Sequence, residues 1–200
     1  MNGRFIAFEG GEACGKSTQA RLLAPHIEAR LTFEPGETAV GRSIRSLLLD
    51  PATRDLVPRA EALLMAADRA QHVAEIVRPA LERGINVITD RYLYSSVAYQ
   101  GYGRRLPPDE IEQLSRWATD GLLPDLVVLL DVEVAVAEAR RRRDPDRIEG
   151  AGDGFHDRVR HGFREMAASD PERWVVLDGS QPVDAIAVAV RAAVRDRLGL

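Results

Sequence analysis

Cysteine is almost absent from this 200-residue chain, lysine equally so, and no long apolar run interrupts it. Cys14 is the one cysteine, so no internal disulfide can close, and the expected setting is a reducing cytoplasm. There is no run of 18 apolar residues and no apolar N-terminal stretch, so neither a membrane span nor an export signal is expected. Excess positive charge is missing too. The net charge is −4 at pH 7, which argues against a nucleic acid or a membrane surface as the main partner and makes any basic site local. With 45% hydrophobic residues, the chain has enough apolar material for one domain, 1–200, with a full core. The scarcity of lysine points furthest. Of the 27 Lys and Arg residues, Lys16 alone is lysine. A chain that uses Arg for every other cation departs from that habit at one place, where a compact ammonium is wanted and a planar five-donor fork would not fit.

Lys16 lies in Gly10-Gly11-Glu12-Ala13-Cys14-Gly15-Lys16-Ser17-Thr18, which fits G-x-x-x-x-G-K-[ST], the phosphate-binding P-loop. A chance match in a chain of this length is on the order of one in a hundred. The context lowers that further: Phe5-Ile6-Ala7-Phe8 suits a buried strand, and Ala20, Leu22, Leu23 and Ile27 follow at roughly helical spacing. Backbone amides of such a loop form an anion-binding concavity at a helix N-terminus. Gly10 and Gly15 permit backbone angles a Cβ would forbid. Lys16 then serves the β- and γ-phosphates of a nucleotide, and the Ser17 hydroxyl holds Mg²⁺.

The rest of the pattern predicts strands over 4–8, 30–33, 85–89, 126–130 and 174–177. Helices are predicted over 16–29, 40–49, 58–83, 107–119, after Asp131 through Arg143, after Gly154 to about Ala168, and over 183–198. Gly101 and Gly103 mark a loop, and a Gly/Asp-rich segment runs from Asp144 to Gly154. Five short apolar strands alternating with helices give an α/β fold of the P-loop NTPase kind, a five-stranded parallel sheet with helices on both faces and a short Arg-rich lid at about 141–154. Ligands of such sheets bind at the strand carboxyl ends, where the P-loop, Asp90-Arg91 and Asp131 all fall. Asp131 can be read as a strand-end cap or as a metal ligand, and Arg140 to Arg142 as a solvated helix face or as part of the lid chemistry.

Several further segments occur in a telling order: Phe8-Glu9-Gly10-Gly11-Glu12, Ala67-Asp68-Arg69-Ala70-Gln71-His72, Asp90-Arg91-Tyr92, Ser95-Ser96, Ala98-Tyr99-Gln100-Gly101 and Asp146-Arg147-Ile148-Glu149. In order and spacing the chain resembles the bacterial thymidylate kinases across nearly its whole length. The resemblance implies transfer of the γ-phosphoryl group of ATP to dTMP, with Mg²⁺, in a homodimer. It implies Lys16, Asp90, Arg91 and Arg147 as catalytic, with Asp90 holding the metal through water and Glu12 near the metal shell or the sugar 3′-hydroxyl. ATP falls to residues 10–18, including Ala13, Cys14 and Thr18, and to Arg143. The acceptor falls to Glu12, Phe33, Met65, Arg69, Arg91, Ser96, Tyr99 and Gln100, with Arg69 aimed at thymine O4. An Arg there rejects cytosine, because two donors would face each other. Ala13 together with an Arg-rich lid resembles the class in which a lid arginine does the duty of a basic residue in the loop.

The pattern departs from the family at three points. Its members usually have Thr-Arg-Glu-Pro-Gly-Gly where this chain has Thr32-Phe33-Glu34-Pro35-Gly36-Glu37. They usually place Phe at the position of Met65, so Phe33 and Met65 read as an exchange of one aromatic wall for another. The link between the first helix and Arg30 is also short. These departures keep open a kinase acting on another or a modified pyrimidine deoxynucleotide. A P-loop ATPase switch is the rival of a different class. Cys14 stands in the loop, and its thiol reactivity is left open.

Overall fold

The computed structural model describes residues 3–53, 55–140, 146–152 and 154–200. Five strands, β1 (Phe5–Glu9), β2 (Arg30–Phe33), β3 (Val87–Asp90), β4 (Leu126–Asp131) and β5 (Trp174–Asp178), form one parallel sheet in the order β2-β3-β1-β4-β5. Between and after them come α1 (Lys16–Leu23), α2 (Ala39–Leu49), α3 (Pro58–His72), α4 (Arg78–Glu82), α5 (Leu93–Ser96), α6 (Pro108–Ala118), α7 (Val134–Arg140), α8 (Phe155–Ser169) and α9 (Val183–Leu198).

Strand side chains alternate between the faces, and here both faces are covered. Phe5, Ala7, Val87, Val127 and Leu129 pack with residues of α3 to α6 and α8, whereas Ile6, Phe8, Ile88, Val128 and Leu130 pack with α1 and α9. That is why β1 and β4 are apolar at successive positions. Each large side chain removed from water in this way contributes about 1.5–3 kcal/mol. β2 is an edge strand with only Thr32 buried. Phe8 and Phe33 both register with Asp90, so three strands end level and open a common cleft at their carboxyl ends.

Three elements differ from the sequence-based expectation. The first helix stops at Leu23 and tightens into one 3₁₀ turn, Ala24–His26, at Pro25. The long helix expected over 58–83 is interrupted by a π turn, Val73–Val77, just before Pro79, whose missing N–H cannot continue the α ladder. Gly101 and Gly103 do not mark a loop. They lie in a wide helical segment, Val97–Gly103, that continues α5. These glycines serve close packing instead, since a Cβ on Gly103 would meet the Phe155 ring at 2.6 Å.

Candidate active site

The turn after β1 bends through Gly10 (φ 138°) and Gly15 (φ 101°), with Ala13 at φ 52°. A Cβ on Gly10 would meet the Leu130 carbonyl oxygen at 2.6 Å, so only glycine brings β4 this close. Gly15 caps α1, which leaves the first amides of that helix facing the loop mouth. Lys16, 6% exposed, donates from Nζ to the Gly11 oxygen at 2.6 Å and the Gly10 oxygen at 3.2 Å. The Ser17 hydroxyl donates to the Asp90 carboxylate across the cleft. Cys14 is buried beneath the loop, with Sγ 3.5 Å from Lys16 Nζ.

Arg91 follows β3 at φ 72° and turns its guanidinium back over the loop. It donates to the Gly10 oxygen and Ser95 Oγ, both at 3.0 Å, and to Tyr99 OH at 3.1 Å, and it pairs with Glu12. Its carbon also stands 4.9 Å from the centre of the Tyr99 ring. Burial alone would raise the Glu12 carboxyl, but Arg91 and Lys16 outweigh it and hold it at about 2. Beneath them Glu9 is fully buried. It accepts from the Tyr92 amide (3.0 Å), the Ser95 amide (3.1 Å) and Ser95 Oγ (2.6 Å), and burial pushes its carboxyl up to about 7.

Next to this turn lies a pocket walled by Glu12, Met65, Arg69, Arg91, Ser96, Tyr99 and Gln100. The same pocket takes in Glu34, Pro35, Arg45, Leu49, Asp146, Ile148 and Glu149. Arg69 is 2% exposed, and four of its five N–H groups are used: Nε on Glu34 (2.8 Å), Nη1 on Ser115 (3.2 Å), and Nη2 on the Tyr92 oxygen and Ser96 Oγ (both 3.1 Å). One Nη1 hydrogen is left without a partner among the described residues. Gln100 donates from Nε2 to Glu61 at 2.9 Å, and its Oε1 is buried with no partner among those residues. Arg69 and Gln100 both line the pocket, and each is fixed in place by neighbours.

Not every residue singled out in the sequence joins these groups. Phe33 lies outside this pocket, 39% exposed on the Lys16 side of the cleft under Arg45, so it does not stand across the pocket from Met65. Asp131 is held by both forks of Arg160, at 2.7 and 3.0 Å, as an ion-paired strand end. Arg147 donates to the Leu48 oxygen (2.8 Å) and to Glu61 (2.7 Å) and is not brought together with Lys16. Arg143 lies outside the described residues. Sequence reasoning passed over Arg45 and Glu61. Arg45 is one arginine among many, and a buried carboxylate inside a helix carries no mark in the sequence.

A phosphate loop, a Ser17–Asp90 hydroxyl–carboxylate pair and a neighbouring pocket lined by Arg45, Arg69 and Arg91 mark the class of P-loop nucleoside-monophosphate kinases. An ATPase switch has no use for such an acceptor pocket. The chain belongs to the thymidylate kinase family: the family model described as thymidylate kinase matches residues 8–190. It is 51% identical over 204 residues to a thymidylate kinase of Bifidobacterium longum (strain NCC 2705), covering 98% of this chain and 99% of that one. To a thymidylate kinase of Clavibacter sepedonicus it is 50% identical over 200 residues, covering 96% and 94%. The crystal structure of thymidylate kinase from Ehrlichia chaffeensis superposes with a TM-score of 0.80 at 30% identity, over 98% of this chain and 99% of that one.

Proposed function

We propose that this enzyme transfers the γ-phosphoryl group of ATP to dTMP, giving dTDP and ADP. The observation that carries the choice of acceptor is that Arg69 and Gln100 line one pocket, with one Nη1 hydrogen of Arg69 and Oε1 of Gln100 left unpaired among the described residues. Thymine presents an acceptor at O4 and a donor at N3, and the free Arg69 hydrogen and Gln100 Oε1 are the complement. Cytosine presents the reverse and would leave both groups unpaired in a buried site. Met65 supplies the apolar wall, and Tyr99, stacked against Arg91, would lie under the sugar, with the Glu12 oxygen not taken by Arg91 and Tyr99 left for the 3′-hydroxyl. Arg91 and Arg45 are placed to grip the acceptor phosphate with planar forks.

Phosphoryl transfer needs alignment and charge neutralisation more than covalent help. Lys16 and the loop amides neutralise the donor phosphates, and Arg91, anchored on the loop's own Gly10 oxygen, carries the acceptor phosphate against them. The Ser17–Asp90 oxygen pair suits Mg²⁺, which when bound would neutralise phosphate charge. No three His, Cys, Asp or Glu side chains form a metal cage among the described residues, and Mg²⁺ characteristically keeps water and phosphate ligands instead. For the homodimer implied by the family resemblance, Leu63 on α3 and Trp117 on α6 stand 58% and 81% exposed on helices that pack together.

The test is ADP release with Mg²⁺-ATP and each of dTMP, dUMP and dCMP. The expected order is dTMP, then dUMP, then dCMP at least about a hundredfold below dTMP in kcat/KM. Absence of turnover with every pyrimidine deoxynucleotide would end this proposal.

A further inference from the structure

The pocket's acceptor depends on which way round Gln100 sits. An amide side chain has nearly the same shape when turned over, and turning it would present NH₂ to the base in place of oxygen. Glu61 decides the matter. It lies at the start of α3 with no exposed surface, and its Oε1 takes the Gln100 amide at 2.9 Å. The same oxygen takes Arg104 Nε at 3.1 Å, while Oε2 takes Arg104 Nη2 at 3.1 Å and Arg147 Nη2 at 2.7 Å.

We propose that Glu61 is a positioning residue for base selection: an acceptor-only carboxylate that forces Gln100 to turn its NH₂ inward and its oxygen toward the acceptor base. Burial would raise the Glu61 carboxyl, but the Arg104, Gln100 and Arg147 donors outweigh it and hold it below the usual carboxylate range. It therefore stays a pure acceptor throughout the working pH range. The proposal deepens the reading of the pocket as a thymine site and rests on it.

Replacing this one carboxylate by an amide makes the case testable. In Glu61→Gln the new NH₂ cannot sit at the Oε2 position, where two arginine donors converge. It goes to the Oε1 position, where it gives up the one bond from Arg104 Nε and faces Gln100, and Gln100 relieves the remaining clash by turning over. Its NH₂ then meets the base, where it opposes thymine N3–H and suits cytosine N3. Arg69 still disfavours the cytosine amino group, so selectivity falls without inverting.

The experiment measures kcat/KM for dTMP and dCMP with the wild type, Glu61→Gln, Gln100→Met and the double variant. The dTMP:dCMP ratio is expected to fall at least about tenfold in Glu61→Gln, by loss of one buried complementary pair. Adding Glu61→Gln to Gln100→Met is expected to change the ratio no further, since the effect travels through Gln100. Arg104→Met, which removes two of the donors to Glu61, is expected to lower the melting temperature and leave the ratio within about twofold. A Glu61→Gln enzyme with the wild-type ratio, or effects that multiply in the double variant, would overturn the proposal. Wild-type failure to use dTMP would instead overturn the thymine reading. Should Glu61→Gln not fold, the wild type still decides: the Gln100 side-chain NH₂ is expected to be protected from solvent exchange with and without dTMP. Loss of that protection on dTMP binding means the amide turns freely, and the proposal fails.

Discussion

At the proposed donor end of the cleft, consecutive residues 10–18 supply the loop, the ammonium of Lys16 and the Ser17 hydroxyl. At the proposed acceptor end the wall is drawn from separate positions between Glu12 and Glu149. The difference has a physical root. A phosphate tail is the same in every nucleotide and can be held by amides, which mutation barely alters. A base must be told from its near relatives, and on the proposed reading Arg69 and Gln100 do this while further side chains hold them: Ser96, Ser115 and Glu34 for Arg69, Glu61 for Gln100. The donor end should therefore fail through one residue, and the acceptor end through any of several.

The largest effect is expected at Lys16. Lys16→Ala should lower kcat at least about a thousandfold with folding kept, as for loss of a charge aimed at the transition state. Lys16→Arg sharpens the point. Nζ sits 2.6 Å from the Gly11 oxygen in a nearly closed space, and a guanidinium has no room there, so this conservative change should cost almost as much. Single-turnover kinetics of both variants check this, and a Lys16→Arg enzyme within tenfold of wild type would break the distinction between point charge and fork. The next largest effect is at Arg91, whose fork spans Gly10, Ser95, Glu12 and Tyr99. Arg91→Lys should reduce kcat/KM for dTMP about a hundredfold while the KM for ATP moves little, because the fork belongs to the acceptor end. An equal rise in the KM for ATP would merge the two ends into one site.

A smaller effect separates two roles for Arg147. The sequence suggested a lid arginine over the transferring phosphoryl group, but the fold ties Arg147 to Glu61 and the end of α2, beside the pocket residues Asp146, Ile148 and Glu149. An anchor of the acceptor wall should show in KM. Arg147→Ala is expected to raise the KM for dTMP about tenfold with kcat within about threefold; the reverse pattern would return it to the phosphoryl group.

The same contrast explains what was legible in the sequence. The P-loop is contiguous and its glycines carry their reason with them, so residues 10–18 could be placed from spacing alone. Strands β1 and β4 could be placed because both their faces are buried. The acceptor pocket is assembled from separate elements, and Arg69, Ser96 and Gln100 were named through family resemblance, not pattern. The side of the cleft on which Phe33 falls could not be read, because strand alternation does not say where an edge-strand end points. Glu61 was missed because a buried carboxylate in a helix reads like any exposed one. Gly101 and Gly103 were misread as turn residues because a glycine kept for close helix packing leaves the same trace in the sequence as one kept for a positive φ.

Glu9 stands where the two ends meet, and there the comparison yields a stability prediction. It ends β1 just before the phosphate loop, yet its carboxylate holds Tyr92 and Ser95, the turn that carries Arg91. Burial pushes its carboxyl from about 4.5 to about 7. Below pH 4.5 the group is protonated in both folded and unfolded chains and adds no pH dependence. Between 4.5 and 7 the unfolded chain gives up its proton and the folded one keeps it, so the folded state binds more protons and stability falls as pH rises. Above 7 both are ionised and the loss is complete, amounting to about 3 kcal/mol at 1.4 kcal/mol per pH unit. Glu9→Gln keeps an oxygen for the two amides and an NH₂ for Ser95 Oγ, and it cannot ionise. Urea unfolding at pH 4, 6 and 8 should show the variant gaining on the wild type across that window, while Asp68, raised to about 6, and Glu12 act equally in both and cancel. Equal pH slopes in the two proteins would mean that Glu9 is solvated on the working timescale, and that the turn carrying Arg91 is held by the loop alone.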